Sequence, residues 1–262
     1  MQQEIAFREG YEQVNGLKMY YQIHGSGDVP LVLVHGGGST IETTFGNIIP
    51  FLAQNRKVIG VDLQAHGRTS DREAGVTFEQ DADDVVSLLQ NLGIEKADLL
   101  GFSNGGSSVM QIAIRHPHMV RKLVAVAACW KREGLIPGFF EFMETASLDK
   151  MPMPLQTAFL EVAENKEGLQ VMHDKDRDRM RAFTDWPEDK IRSIQAPALI
   201  IAGNQDVITI DHAVETAQLI PHAELVILPG IHGACLGEIC TARPGSKMPE
   251  FTALIIGEFL DK

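Results

Sequence analysis

The chain has 262 residues, a formal net charge of −12, 44% hydrophobic residues and 22% charged ones. That length holds one large α/β domain or two small ones with an extensive core, and the composition excludes a disordered chain. The acidic balance argues against nucleic acid and anionic membrane as partners, because either needs a basic patch to neutralise phosphate.

Met1 to Glu9 contains no apolar run of signal-peptide length, and no later stretch is long enough to span a bilayer. A cytoplasmic protein with no membrane span is the expectation. Cys129, Cys235 and Cys240 are too few, and odd in number, for a secreted disulfide framework. Cys235 and Cys240 lie near His232, but their spacing matches no common zinc pattern, so free, partly buried thiols and no metal are expected. Gly36-Gly37-Gly38 lacks the Gly-x-Gly-x-x-Gly spacing of a dinucleotide site, and no cofactor is implied.

In chain order, residues 10–25 read as a β-hairpin around Asn15-Gly16, the pair that adopts a type I′ turn most readily. Leu31-Val32-Leu33-Val34 is a continuous apolar run, the mark of a strand buried on both faces, and it leads into His35-Gly36-Gly37-Gly38. A helix over residues 42–55 should follow, broken or restarted at Pro50. Val58 to Leu63 is the next strand, leaving through Gln64 to Ser70. Thr77 with Gln80 predicts a capping box, and Phe78, Ala82, Val85, Val86, Leu88 and Leu89 predict one apolar helix face ending at Gly93.

A strand ending at Phe102 comes next, then a buried helix from Asn104 to His116 stopped by Pro117, then a central strand over Leu123 to Ala128. From Cys129 to Ile194 the strand rhythm disappears, and Phe139, Phe140, Phe142, Met143, Met151, Met153, Met172 and Met180 appear among helical patterns. This predicts a helical cap, 129–194, inserted over one end of a core made of 1–128 and 195–262, within a single domain overall. Asp174-Lys175-Asp176-Arg177-Asp178-Arg179 alternates in charge, as a solvated helix face does. Strands resume at Ala198–Gly203 and Leu225–Leu228, with helices over 211–220 and 251–260. Strand and helix in alternation, with apolar strands, imply a largely parallel sheet wrapped by helices, whose sites lie at the carboxyl ends of strands.

Gly101-Phe102-Ser103-Asn104-Gly105 joins a strand to a helix, the setting of a nucleophile elbow. Gly-x-Ser-x-Gly also arises by chance in any chain with this much Gly and Ser; the strand before it and the helix after it argue for the elbow. Its glycines suit a turn where strand and helix backbones nearly touch, and it would expose the Ser103 hydroxyl and aim the Asn104 amide into the same space. A serine is a weak nucleophile until a base takes its proton, and a carboxylate orients that base. Ser103, Asp206 and His232 supply the three parts, each after a different strand and in the order Ser, Asp, His.

With these residues in place the chain resembles the α/β-hydrolase superfamily over nearly its whole length. The matching features are His35-Gly36-Gly37-Gly38, Gly101 to Gly106, the Gly203 to Asp206 turn and Gly230-Ile231-His232-Gly233. The resemblance implies an α/β-hydrolase fold with oxyanion amides from Gly37 and Asn104, Gly38 being the runner-up to Gly37. It also carries a departure: members often have Asp-x-x-Gly-x-Gly where this chain has Asp62-Leu63-Gln64-Ala65-His66-Gly67, and Ala65 resists glycine-only angles, so a local difference is expected. His66 and Asp62 are the weaker candidates for base and acid, because they precede the elbow. His24, His116, His118, His173, His212 and His222 read as surface or structural residues.

Serine rather than aspartate at the elbow disfavours haloalkane dehalogenation and epoxide hydrolysis, which use a carboxylate nucleophile in related folds. The expected function is a serine hydrolase of carboxylesterase type, acting on an ester or related acyl bond of a small substrate. The cap's Phe and Met residues, with Trp130 and Trp186 at its ends, are candidates to line a mostly apolar pocket, or merely to pack the cap. The same triad also serves carbon-carbon bond hydrolases, cofactor-free perhydrolases or haloperoxidases, and lyases. A small-ligand receptor on a hydrolase scaffold is the non-enzymatic rival. No sequence feature sets an oligomeric state.

Overall fold

A computed structural model of the protein describes residues 7–262, so most of the N-terminal stretch read for a leader, residues 1–6, lies outside the described residues. Strands β1 (Phe7–Val14) and β2 (Leu17–His24) form the expected hairpin, with φ of 47° at Asn15 and 84° at Gly16, as a type I′ turn requires. Strand β3 (Leu31–Val34) is buried along its length. The next helical stretch is broken: α1 (Ile41–Phe45) begins at a Thr40–Thr43 capping box, and α2 (Ile49–Leu52) restarts with Pro50 in its first turn, where a missing N–H costs nothing.

After β4 (Val58–Val61), the Thr77 side chain caps α3 (Phe78–Asn91) by accepting from the Gln80 amide. The expected reciprocal half of that box does not form, because the Gln80 side chain donates to Asp84 instead. Strand β5 (Ala97–Phe102) leads into α4 (Asn104–Arg115), and β6 (Val120–Val126) follows. Helices α5 (Phe139–Glu144), α6 (Met153–Val162), α7 (Gly168–Ala182) and α8 (Glu188–Arg192) occupy the stretch before β7 (Ala198–Gly203). The chain closes with α9 (Ile210–Leu219), β8 (Ala223–Leu228) and α10 (Met248–Asp261).

The eight strands of the described residues form one sheet in the order β1-β2-β4-β3-β5-β6-β7-β8. Pairing is antiparallel from β1 through β2 to β4 and parallel from β4 to β8. Parallel strands place every following loop at one edge, so Gly37 after β3, Ser103 after β5, Asp206 after β7 and His232 after β8 meet there.

One expectation needs correction, and one choice left open by the sequence is decided. Ala65 does adopt the left-handed region, at φ 64°. That conformation costs about 1–2 kcal/mol for a residue with a Cβ. The Ala65 methyl is buried in a cluster with Phe159, Ala163, Leu169 and Met172, which offsets the strain. Trp130 and Trp186 are buried, but of the two alternatives for them they pack the chain and do not border the cavity that Ser103 lines. The Trp186 amide donates to the Trp130 carbonyl at 2.9 Å, and the Trp130 indole donates to Thr216 Oγ1 at 3.0 Å, so the pair clasps together the two ends of the α5–α7 segment.

The elbow shows how tightly strand and helix approach. A Cβ on Gly105 would lie 2.1 Å from the Val34 carbonyl oxygen, and one on Gly101 2.1 Å from the Gly105 oxygen. Neither backbone can move away without disturbing the central sheet. Gly105→Ala should therefore destabilise the fold by about 3 kcal/mol, read as a lower urea midpoint at unchanged slope.

Candidate active site

The β5–α4 turn holds Ser103 at φ 54° and ψ −121°, a strained conformation for a residue with a side chain. It is held there by its amide, which donates to the Val126 carbonyl at 2.9 Å. The Ser103 hydroxyl lies 3.0 Å from His232 Nε2, and His232 Nδ1 lies 2.6 Å from Asp206 Oδ1. A carboxylate at Nδ1 keeps the proton on that nitrogen and leaves the Nε2 lone pair facing the hydroxyl. Such a relay can accept a hydroxyl proton and return it to a departing group.

Asp206 also accepts from the Ile208 amide at 3.2 Å and the Gly203 amide at 3.3 Å. Burial works to raise its pKa, but the hydrogen bond and charge of His232, with these two amides, outweigh it and hold the carboxyl below its ordinary value. The imidazole of His232 packs on Phe102, ring centres 4.6 Å apart.

The loop after β3 is oriented by His35. Its Nδ1–H donates to the Gly36 carbonyl at 2.8 Å, while Nε2 accepts from the Leu63 amide at 3.0 Å. That pattern uses the neutral ring fully, and burial, with the nearby His66, pushes the pKa of His35 down to about 3. Gly37 and Asn104, the two expected oxyanion donors, border one cavity with Ser103. The Asn104 amide opens α4, where the first amides have no partner within the helix. The Gly38 amide, runner-up to that of Gly37, donates to Asp176 Oδ2 at 2.6 Å.

The cavity measures about 250 Å³. Its floor is Gly37, Gly38, Ser103 and Asn104 at the strand ends. Phe139, Phe142, Met143, Met151, Met172 and Met180 form much of its wall, so most of the Phe and Met residues expected in the cap border the site; Phe140 instead lies under the Arg132 guanidinium, and Met153 is exposed.

Residues 29–165, just over half of the chain, match the family model described as the alpha/beta hydrolase fold. The chain belongs to the α/β-hydrolase fold family. It is 30% identical over 233 residues to 2-hydroxymuconate semialdehyde hydrolase of Pseudomonas sp. (strain CF600), covering 78% of this chain and 80% of that protein. It is 28% identical over 229 residues to the dihydrolipoyllysine-residue acetyltransferase component of the acetoin cleaving system of Pseudomonas putida, covering 81% of this chain but 60% of that protein. The crystal structure of a serine hydrolase involved in carbazole degradation superposes with a TM-score of 0.79 at 23% identity over 98% of this chain and 99% of that one, a likeness of fold. Among the described residues no helix of this α/β hydrolase is long and apolar enough to cross a membrane. Cys129 and Cys235 are buried free thiols and Cys240 an exposed one.

The charged run in α7 of this α/β hydrolase is not the solvated face its alternation suggests. Asp176 reaches the cavity and Arg179 is buried with 3% of its side chain exposed. The signal was in the register: Leu169, Met172, Asp176 and Met180 recur at helical spacing, which places Asp176 within the buried stripe. His66, set aside as base, lies 2.9 Å from Asp176 Oδ2 through its Nε2. His173, expected as a surface or structural residue, borders the cavity and contacts Asp174 at 3.2 Å. Asp62 instead accepts from the Ile41 and Arg68 amides, fixing the loop that carries His66.

These pairs set a pH dependence. Burial works to lower His66, but the charge and hydrogen bond of Asp176, with the Gln64 carbonyl, outweigh it and raise the pKa above 6.5, against the opposing Arg179. The stabilisation from His66 is therefore complete below pH 6.5 and is lost as pH rises through the raised folded value. Asp176 and Asp206, both held below 3.8, act in the opposite sense: their stabilisation is complete above pH 3.8 and is lost as pH falls through the lower folded values. Urea midpoints should decline toward both ends, and the difference between wild type and His66→Gln should shrink as pH rises above 6.5.

Proposed function

We propose that this α/β hydrolase is a serine hydrolase of carboxylesterase type, cleaving an ester or related acyl bond of a small, mostly apolar substrate through an acyl-enzyme at Ser103. The unbroken relay from Ser103 through His232 to Asp206, opening on a cavity beside the Gly37 and Asn104 amides, carries this reading. Segment 129–194 acts as the cap that supplies most of the cavity wall over the core of 1–128 and 195–262.

In the reaction Ser103 Oγ attacks the carbonyl carbon while its proton passes to His232 Nε2. The carbonyl oxygen becomes an oxyanion between the Gly37 and Asn104 amides; one such donor is worth about 3 kcal/mol to the transition state. The bond to the leaving oxygen then breaks, and His232 returns the proton to it. Water, deprotonated by His232, attacks the acyl-enzyme and releases the acid with Ser103 restored.

A fluorophosphonate should label the folded protein on Ser103 alone. The wall of Met and Phe around a small cavity should favour p-nitrophenyl butyrate over the laurate ester in kcat/KM. A folded protein that resists the probe, or labelling of another residue, contradicts the reading.

Carbon-carbon bond hydrolysis is the second reading, favoured by the 30% identity to a 2-hydroxymuconate semialdehyde hydrolase and by Lys150 and Arg177 on the cavity wall, which could meet an anionic substrate. Turnover of that semialdehyde above the rate on butyrate esters would select it.

A further inference from the structure

Asp176 comes from α7, far in sequence from the elbow, yet it is the group that holds the loop after β3 from above. Two peptide units flank Gly37. In the first, His35 holds the Gly36 carbonyl, and because N–H and C=O point in opposite directions across a trans peptide, the Gly37 amide is turned away from His35. In the second, Asp176 Oδ2 holds the Gly38 amide at 2.6 Å, while the Gly37 carbonyl on its other side accepts from Ser39 Oγ at 3.3 Å. Glycine backbones are otherwise free to rotate at this point, and Gly38 itself has a φ of 65°.

The carboxylate is itself fixed and compensated. His66 Nδ1 faces the Gln64 carbonyl at 2.8 Å and Nε2 faces Asp176 Oδ2 at 2.9 Å, so both ring nitrogens meet acceptors and the ring carries both protons. Arg179 Nη2 lies 3.3 Å from Asp176 Oδ1, and Arg179 Nη1 donates to Asp81 Oδ2 at 2.9 Å. His35 stacks at a tilt on His66, ring centres 4.9 Å apart, and is neutral as described above. The site thus contains a carboxylate with two cations at its back, which can order the loop without opposing a nearby oxyanion as a bare charge would. The fit is close: a Cβ on Gly37 would lie 3.1 Å from Asp176 Oδ2 and 2.6 Å from Asn104 Nδ2.

We propose that Asp176 is a positioning residue of the oxyanion site, pinning the Gly37–Gly38 peptide so that the Gly37 amide is preorganised for the developing negative charge. This inference rests on the serine-hydrolase reading above. It links the segment that walls the cavity to the transition state, since the same helix bears the substrate-facing Met172 and Met180. Substrate need not touch Asp176 for the carboxylate to matter.

The test compares Asp176→Ala, Asp176→Leu and Asp176→Asn with wild type on p-nitrophenyl butyrate, with rates expressed per site titratable by fluorophosphonate. Because loss of one oxyanion donor costs about 10²–10³ in kcat, disordering its peptide should lower kcat by about ten- to a hundredfold in the alanine and leucine variants. KM should stay within about threefold, and the rate of phosphonylation should fall by a similar factor to kcat. Asparagine keeps an acceptor for the Gly38 amide and should recover at least a third of the wild-type kcat. A staple that merely holds α7 down would alter KM or stability and leave the rate per labelled site unchanged. The leucine variant, a buried near-isostere without an acceptor, decides the matter if the alanine variant does not fold. A kcat within twofold of wild type in that variant, or equal losses in leucine and asparagine, overturns the inference. Absence of Ser103 labelling in the wild type would instead overturn the reading on which it rests.

Discussion

Replacing Ser103 with alanine should lower kcat for p-nitrophenyl butyrate by roughly 10⁴- to 10⁶-fold while the protein stays folded. The hydroxyl is the only part of the relay that bonds to substrate in the proposed reaction, and without it His232 has no nucleophile of the protein to activate. Alanine keeps a Cβ at φ 54°, so the strained turn and the helix start at Asn104 are unchanged. On the proposed mechanism the remaining rate belongs to the amides of Gly37 and Asn104 and to the cavity, which would still bind and polarise the ester. His232→Ala should fall to a similar rate, and combining the two should add little, because serine and histidine act as one unit. Steady-state kinetics with thermal melts of the three variants check this; additive losses would argue against a relay.

The largest effect on stability should come from Arg179→Met, a loss of about 3–5 kcal/mol. Arg179 sits between two carboxylates, Asp81 on α3 and Asp176 on α7, with its guanidinium 5.1 Å from the Phe78 ring centre. Ser108 adds a hydrogen bond to Asp81 at 2.9 Å. Removing the cation takes the ion-pair partner from buried Asp81, which is the costly case, and leaves Asp176 to His66; replacing a whole buried pair by apolar side chains is often neutral. Asp81→Leu combined with Arg179→Met should therefore recover part of the loss. Urea unfolding of the single and double variants measures it, and a double variant as weak as the sum of the singles would remove the charge argument.

How far the sequence could be read depended on the range of the physics involved. The elbow was legible because the close approach at Gly101 and Gly105 is met only by glycine, and because Asn104 to Arg115 carries its own helical pattern. Asp206 and His232 were legible as residues that follow apolar strands in the right order, and the sheet brings them to within hydrogen-bond reach of each other and of Ser103. The hairpin at Asn15-Gly16 and the break at Pro50 are local chemistry and came out as expected.

Asp176 was misread because alternating charge is the normal dress of an exposed helix, and its partners, Gly38 and His66, lie 138 and 110 residues away. Only its phase with Leu169, Met172 and Met180 marked it as buried. Ala65 was misjudged since a local backbone penalty is outweighed by packing against α6 and α7, which no local rule contains. The place of the tryptophans at the ends of an insertion leaves lining and packing equally open. Their hydrogen bonds, to each other and to Thr216 on α9, depend on how those ends meet.

The central claim is that acyl transfer runs through Ser103, and its most direct test is to trap the intermediate. Mixing the protein with excess p-nitrophenyl acetate and quenching in acid should give a burst of one p-nitrophenolate per molecule and a single acetyl group on the peptide that contains Ser103. Loss of both in Ser103→Ala completes the expected result. Turnover of the ester with no acetyl on Ser103, or with the burst intact in Ser103→Ala, would contradict the account.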